Sequence, residues 1–135
     1  MGLIVVDASV IVDLLAADDV HRRKAARERL TGGDAVFAPA YLDIEVVAAL
    51  RGLARRSDVL ATDAPALIAQ LLRMPIRRGP LVHSTTDRIW QLRANMTAYD
   101  AGYVALAEHL TASLLTCDRK YTAAPGLRCT VELLN

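Results

Sequence analysis

Four acidic residues, Asp7, Glu45, Asp100 and Asp118, are of the type and in the positions needed to act together on a phosphate ester. Asp7 ends the β-branched run Leu3-Ile4-Val5-Val6, and Asp118 ends a second run, Ser113-Leu114-Leu115-Thr116-Cys117. Asp100 lies three residues after Thr97, at the mouth of a helical stretch. Each of these three also has a local explanation as a helix cap or first-turn acid, because Asp is favoured at helix N-termini. Glu45 has none. Its neighbours three and four residues away are Tyr41, Leu42, Ala48 and Ala49, so it projects from the helix face expected to be buried. Buried carboxylates are paired, metal-bound or protonated. Two of them about 4 Å apart repel by about 4 kcal/mol at an effective dielectric near 20. A cluster of four therefore calls for a cation, and oxygen ligands without His or Cys select Mg²⁺, with Mn²⁺ as a substitute, over zinc. An ion so held polarises a phosphoryl oxygen and activates water, which is the chemistry of metal-assisted phosphodiester hydrolysis.

The elements that must position these acids follow from apolar periodicity. Leu3 to Val6 reads as a buried parallel strand and Ala8 to Ala17 as a helix with Val10, Ile11, Leu14 and Leu15 on one face. A charged helix runs from Val20 to Leu30, closed by Gly32-Gly33, and Ala35 to Ala38 is a strand stopped by Pro39. Tyr41 to Arg55 is a helix. Thr62 is expected to cap the next one, with Pro65 in its first turn and Leu67, Ile68, Leu71 and Leu72 inward. Ile76-Arg77-Arg78 is a weak third strand, and helices follow over Thr85 to Arg93 and Tyr99 to Leu110. Ser113 to Cys117 is a strand, Asp118 to Thr122 a short helical turn, and Cys129 to Leu133 a last strand. Strands alternating with longer helices predict an α/β domain over residues 1–135, a three-layer α/β/α arrangement with a short parallel sheet of four to five strands. In such sheets functional groups gather beyond the carboxyl ends of the strands, which is where the acids fall.

Composition narrows the function classes. Sixteen Lys and Arg against fifteen Asp and Glu leave a net charge of +1, so the chain does not coat nucleic acid by bulk charge. One Trp, four Tyr and one Phe are too few for a base-stacking platform. Cys117 and Cys129 fit no zinc or CxxC spacing and read as buried thiols. The apolar start, interrupted by Asp7 and Asp13, is neither a signal peptide nor a membrane span, so a cytoplasmic protein is expected. His21, His83 and His109 lack metal-ligand spacing, and no nucleotide-binding or nucleophile-elbow motif is present.

Several segments, in order, resemble the PIN domain family and within it the VapC toxins of toxin–antitoxin pairs. They are Ile4 to Asp13, Glu45 to Leu50, Leu92 through Thr97-Ala98-Tyr99-Asp100 to Glu108, and Leu114 to Lys120. The resemblance implies a Mg²⁺-dependent endoribonuclease in which Asp7, Glu45, Asp100 and Asp118 match the family's acids. It implies that Ser9 and Thr116 match hydroxyl positions that steady those acids. It also implies a homodimeric toxin with a VapB-type antitoxin, whose helix would lie in a groove between the first four helices.

An RNA substrate needs positive side chains at the rim of a negative pocket. Candidates are Arg22, Arg23, Lys24, Arg27, Arg77, Arg78, Arg88, Arg93, Arg119 and Lys120, of which Arg119 and Lys120 directly follow an acid of the site. Two other classes compete. A receiver-type signalling domain would need an Asp ending its third strand, where Gly79-Pro80 stands, and a Lys near its last strand, where none follows Val131. A protein-binding module that had lost the chemistry would be marked by a missing acid, and all four are present.

Overall fold

The computed structural model describes residues 2–134. Along the chain the elements are β1 (Leu3–Val6), α1 (Ala8–Ala16), α2 (Val20–Leu30), β2 (Ala35–Pro39), α3 (Leu42–Ala54) and α4 (Asp58–Arg73). They continue with β3 (Ile76–Gly79), α5 (His83–Gln91), α6 (Ala98–Leu110), β4 (Ser113–Thr116), α7 (Lys120–Ala123) and β5 (Val131–Leu133). The strands form one parallel sheet in the order β3-β2-β1-β4-β5.

That order, with right-handed crossovers, dictates the layers. Stepping outward from β1 to β2 to β3 lays α1 to α4 on one face. The return from β3 to β4 crosses to the other side of β1 and lays α5 and α6 on the opposite face. The packing agrees: α1 meets α2 and α3, α3 meets α4, while α5 packs on α6, which lies against β1, β2 and β4. Connections from β1 and from β4 thus leave toward opposite faces, making the gap between these neighbours the topological switch point of the sheet. The core is continuous through the layers, from Val10, Ile11, Val46 and Leu50 through Val5, Val6, Leu114 and Leu115 to Tyr103 and Val104. An α/β/α fold with five short parallel strands matches the sequence expectation, including the weak strand at Ile76.

Several local expectations are corrected. Helix α4 begins four residues before Thr62: Ser57 is its N-cap, accepting from the Leu60 amide at 3.1 Å, and Thr62 bonds back to the Asp58 carbonyl. Pro65 is consequently mid-helix, where its missing N–H is tolerated because Leu60, Leu67, Ile68 and Leu71 pack on the core and hold the helix through the break. Leu72 points to solvent and only Leu71 of that helix is fully buried. Helix α5 starts at His83, two residues early, and leaves Trp90 exposed. The last strand is shorter, Val131–Leu133, and both cysteines are free but only partly buried. The receiver alternative fails on topology, since β3 is an edge strand ending at Gly79, far in the order from the β1/β4 gap.

Candidate active site

The site is built at the carboxyl ends of β1 and β4. Their register pairs Val6 with Leu115, so Asp7 and Thr116 come level one residue later. Asp7 is buried, at 5% exposure, and both oxygens of its carboxylate accept hydrogen bonds. Oδ1 accepts from the Ser9 amide at 3.0 Å and from the Ser9 hydroxyl, and Oδ2 accepts from Thr116 Oγ1 at 3.0 Å. Asp7 is therefore both the N-cap of α1 and a member of the site. Thr116 Oγ1 also accepts from the Asp118 amide at 3.0 Å, and Ser9 Oγ accepts from the Cys117 amide at 2.9 Å. The two hydroxyls named from the sequence thus tie the ends of β1 and β4 together.

Asp100 enters from α6. Thr97 caps that helix by accepting from the Asp100 amide at 3.2 Å, but the Asp100 carboxylate does not turn back to complete a capping box. It accepts instead from the Tyr121 hydroxyl at 3.2 Å and pairs with the Lys120 ammonium at 3.0 Å. The same ammonium lies 3.2 Å from Asp118 Oδ2, so one cation joins α6 to the segment after β4. Lys120 accordingly faces the acids, rather than lying free for phosphate, while Arg119 beside it is exposed.

Glu45 is only partly buried, and Ala48 beyond it is exposed, which corrects the expectation of a buried face there. The buried stripe of α3 is Leu42, Val46 and Leu50; Glu45 borders it and looks toward the site. Its charge acts on Tyr41, Tyr103 and Tyr121, which also respond to Asp7 or Asp100, so the acids share one neighbourhood. Asp43 is occupied elsewhere, both of its oxygens accepting from the one Nε–H of Arg78.

Electrostatics follow this placement. Burial raises the Asp7 carboxyl above the usual carboxylate range, against the opposing hydrogen bonds of Ser9 and Thr116 and the charge of Lys120. For Asp118 burial also acts upward, but the Lys120 amide and ammonium outweigh it and hold the carboxyl low. Burial and the neighbouring carboxylates push Tyr41, Tyr103 and Tyr121 far up, so all three stay protonated donors. Cys117, beside Asp13 and Asp7, is pushed up to about 12 by burial first and by those charges second, which makes it an inert thiol.

The tyrosines were not singled out from the sequence. Tyr41 precedes Glu45 by four residues, Tyr103 follows Asp100 by three and Tyr121 follows Asp118 by three. A polar-tipped aromatic three or four residues from an acid was the available signal, although Tyr121 reaches Asp100 and not the acid it follows. The Tyr103 hydroxyl is buried with no partner in hydrogen-bond geometry.

The donor set suits a hard cation: it is carboxylate oxygen throughout, and two of its members already hold an ammonium between them. Among the described residues, no three His, Cys, Asp or Glu side chains converge on one ion-sized point. Asp7, Asp100 and Asp118, with Glu45 beside them, would be the residues to hold a metal. Of the other basic candidates, Arg22 pairs with Asp13, Arg78 with Asp43 and Arg88 with Glu108, so these three serve the fold.

Comparison with known proteins assigns the architecture. The PIN domain family description matches residues 4–127. Ribonuclease VapC12 of Mycobacterium tuberculosis is 36% identical over 132 residues, covering 98% of this chain and 99% of that protein. Among solved structures, VapC20 of Mycobacterium tuberculosis, described as a Sarcin-Ricin loop cleaving toxin, superposes with a TM-score of 0.68 at 21% identity over 98% of this chain and 99% of that one. VapBC2 from Rickettsia felis, bound to a DNA fragment from their promoter, gives 0.66 at 13% identity over 98% and 99%. A five-stranded parallel sheet with acids at its switch point, a family match over nearly the whole chain and full-length relatives above one-third identity lead to one assignment: the chain belongs to the PIN domain family, among the VapC ribonucleases.

Proposed function

We propose that this protein is a Mg²⁺-dependent endoribonuclease, with Mn²⁺ able to substitute, and the toxin of a toxin–antitoxin pair. The observation that carries this reading is that Asp100 and Asp118 come close enough at the β1/β4 switch point to share the Lys120 ammonium, beside the buried Asp7. A metal bound there would polarise a phosphoryl oxygen and lower the pKa of its water. The chain's own residues do the rest. Ser9 and Thr116 fix the Asp7 oxygens, Tyr121 orients Asp100, and the protonated tyrosines keep that end of the cleft supplied with donors. Arg119, exposed beside the site, is placed to meet the RNA backbone.

A second surface supports the partner. An open cleft of about 590 Å³ lies between α1, α2, α3 and α4, lined by Leu15, Leu53, Val59, Leu60 and Leu67 together with Asp18, Arg23, Arg56 and Asp63. Its mixture of apolar side chains with both signs of charge fits an amphipathic antitoxin helix. Leu81, Val82 and Trp90, among the exposed large apolar side chains, lie around α5 and offer one apolar surface for a homodimer, whose mass light scattering would read. No helix among the described residues is long and apolar enough to cross a membrane.

The test is cleavage of total RNA by purified protein. Cleavage at discrete sites with Mg²⁺, its loss in excess chelator and its loss in Asp100→Asn are expected, with an unchanged circular dichroism spectrum. Full activity in Asp100→Asn, or in chelator, would remove the metal reading.

A further inference from the structure

Lys120 occupies an unusual place for a side chain whose sequence position suggests the rim. Its ammonium lies 3.0 Å from Asp100 Oδ1 and 3.2 Å from Asp118 Oδ2, joining a helix on one face of the sheet to the end of β4. Its own amide donates to Asp118 Oδ1 at 3.0 Å, so backbone and side chain of one residue grip both oxygens of that carboxylate. The ammonium also lies 5.3 Å from the centre of the Tyr121 ring, whose hydroxyl donates to the same Asp100 oxygen. Yet the Lys120 side chain is 49% exposed, so it has solvent to swing into.

A divalent ion binds carboxylate oxygens at about 2.0–2.6 Å and needs several of them at once. Those oxygens cannot serve the ion and an ammonium lying between them together.

We propose that Lys120 is a tethered counter-cation of the site. This rests on the metal-dependent reading above. In the metal-free protein its ammonium holds Asp100 and Asp118 together against their mutual repulsion, and a divalent ion must displace it before those carboxylates can bind metal. Lys120 is thereby a positioning residue that sets how much free metal the protein needs.

The experiment is calorimetric titration of the purified full-length chain with MnCl2 and with MgCl2, beside thermal melts with and without each salt. Wild type is compared with Lys120→Met, Lys120→Arg and, as a control for general loss of positive charge, Arg119→Met. Lys120→Met is expected to bind Mn²⁺ about five- to tenfold more tightly, the scale of removing one partly screened ion-pair network. Its metal-free melting temperature is expected to fall and its metal-induced rise to exceed that of wild type. Lys120→Arg and Arg119→Met are expected to stay within about twofold of wild type, since one keeps the bridge and the other never made it. Equal affinity in wild type and Lys120→Met, or an equal gain in Arg119→Met, overturns the proposal while leaving the metal reading intact. Binding by no variant overturns both. If Lys120→Met does not fold, Lys120→Gln, with a polar tip and no charge, carries the same comparison.

Discussion

Thr116 Oγ1 donates to Asp7 Oδ2 at 3.0 Å and accepts from the Asp118 amide at 3.0 Å, so a single buried hydroxyl couples the acid ending β1 to the acid following β4. Valine has the same shape without that coupling. Thr116→Val leaves the Asp118 amide without its acceptor and Asp7 with one donor fewer, a cost of about 1–3 kcal/mol. The melting temperature is expected to fall by several degrees and RNA cleavage about ten- to hundredfold, the usual effect of losing a partner that orients a metal-site acid. Thr116→Ser is expected to restore most of both. Wild-type rates in Thr116→Val would mean that Asp7 is placed without help from β4.

Asp7 and Asp118 should respond to pH in opposite senses in chelator-treated protein. Burial holds the Asp7 carboxyl above its ordinary 3.8, so the fold favours the protonated form. That contribution is complete below 3.8 and is lost as the pH rises through the raised value. Asp118 is held below 3.8, because Lys120 outweighs burial; its contribution is present above 3.8 and is lost as the pH falls through the lowered value. Asp7→Asn is thus expected to melt a few degrees above wild type at neutral pH, with the gap closing toward about pH 4. Asp118→Asn should melt below wild type at neutral pH. A drop for Asp7→Asn at neutral pH would show that its hydrogen bonds outweigh its burial.

Gly102, in the first turns of α6, leaves the space that the side chain of Tyr41, the residue preceding α3, occupies. A Cβ at this position would overlap the Tyr41 hydroxyl, which donates to the Tyr99 carbonyl at 2.6 Å. The Tyr41 ring meets Tyr99 and Tyr103 edge-on, at 5.4 and 5.5 Å between centres. Tyr41 lies one turn before Glu45, and Tyr99 adjoins Asp100, so this contact stitches the two acid-bearing helix ends. Gly102→Ala is expected to cost about 1–3 kcal/mol in a denaturant melt and to lower RNA cleavage through displacement of Glu45. Tyr41→Phe in the same chain removes the overlapping oxygen and should return part of the stability. Additive losses in the double variant would show that the two residues do not meet.

Much of the fold was legible because its signals are local. The β-branched run at Leu3–Val6 and the short apolar run at Ser113–Thr116 have the length and composition of buried strands, and the apolar spacing of α1, α3 and α6 marks their inward faces. Where local signals competed, one misled. Pro65 suggested a helix beginning at Thr62, whereas Ser57 and the apolar side chains on both sides of the proline start it earlier. Packing there exceeds the cost of one absent hydrogen bond. Glu45 was found for a reason the structure softens, since it borders the buried stripe of α3 rather than lying within it.

The sequence by itself determined the chemical inventory: acids at two strand ends and at a helix mouth, hydroxyls beside them, and no His or Cys in position to compete for a metal. These are properties of residue type and spacing along the chain. Only the tertiary structure decided that β4 pairs with β1 and not with β3, which brings Asp118 to Asp7 across more than a hundred residues. Only it decided that Lys120 turns inward, since an ammonium goes where two carboxylates from separate elements lower its energy most, and neither is identified by sequence distance. Pairing of strands and pairing of charges are both non-local. Each is settled when the whole chain buries its apolar surface.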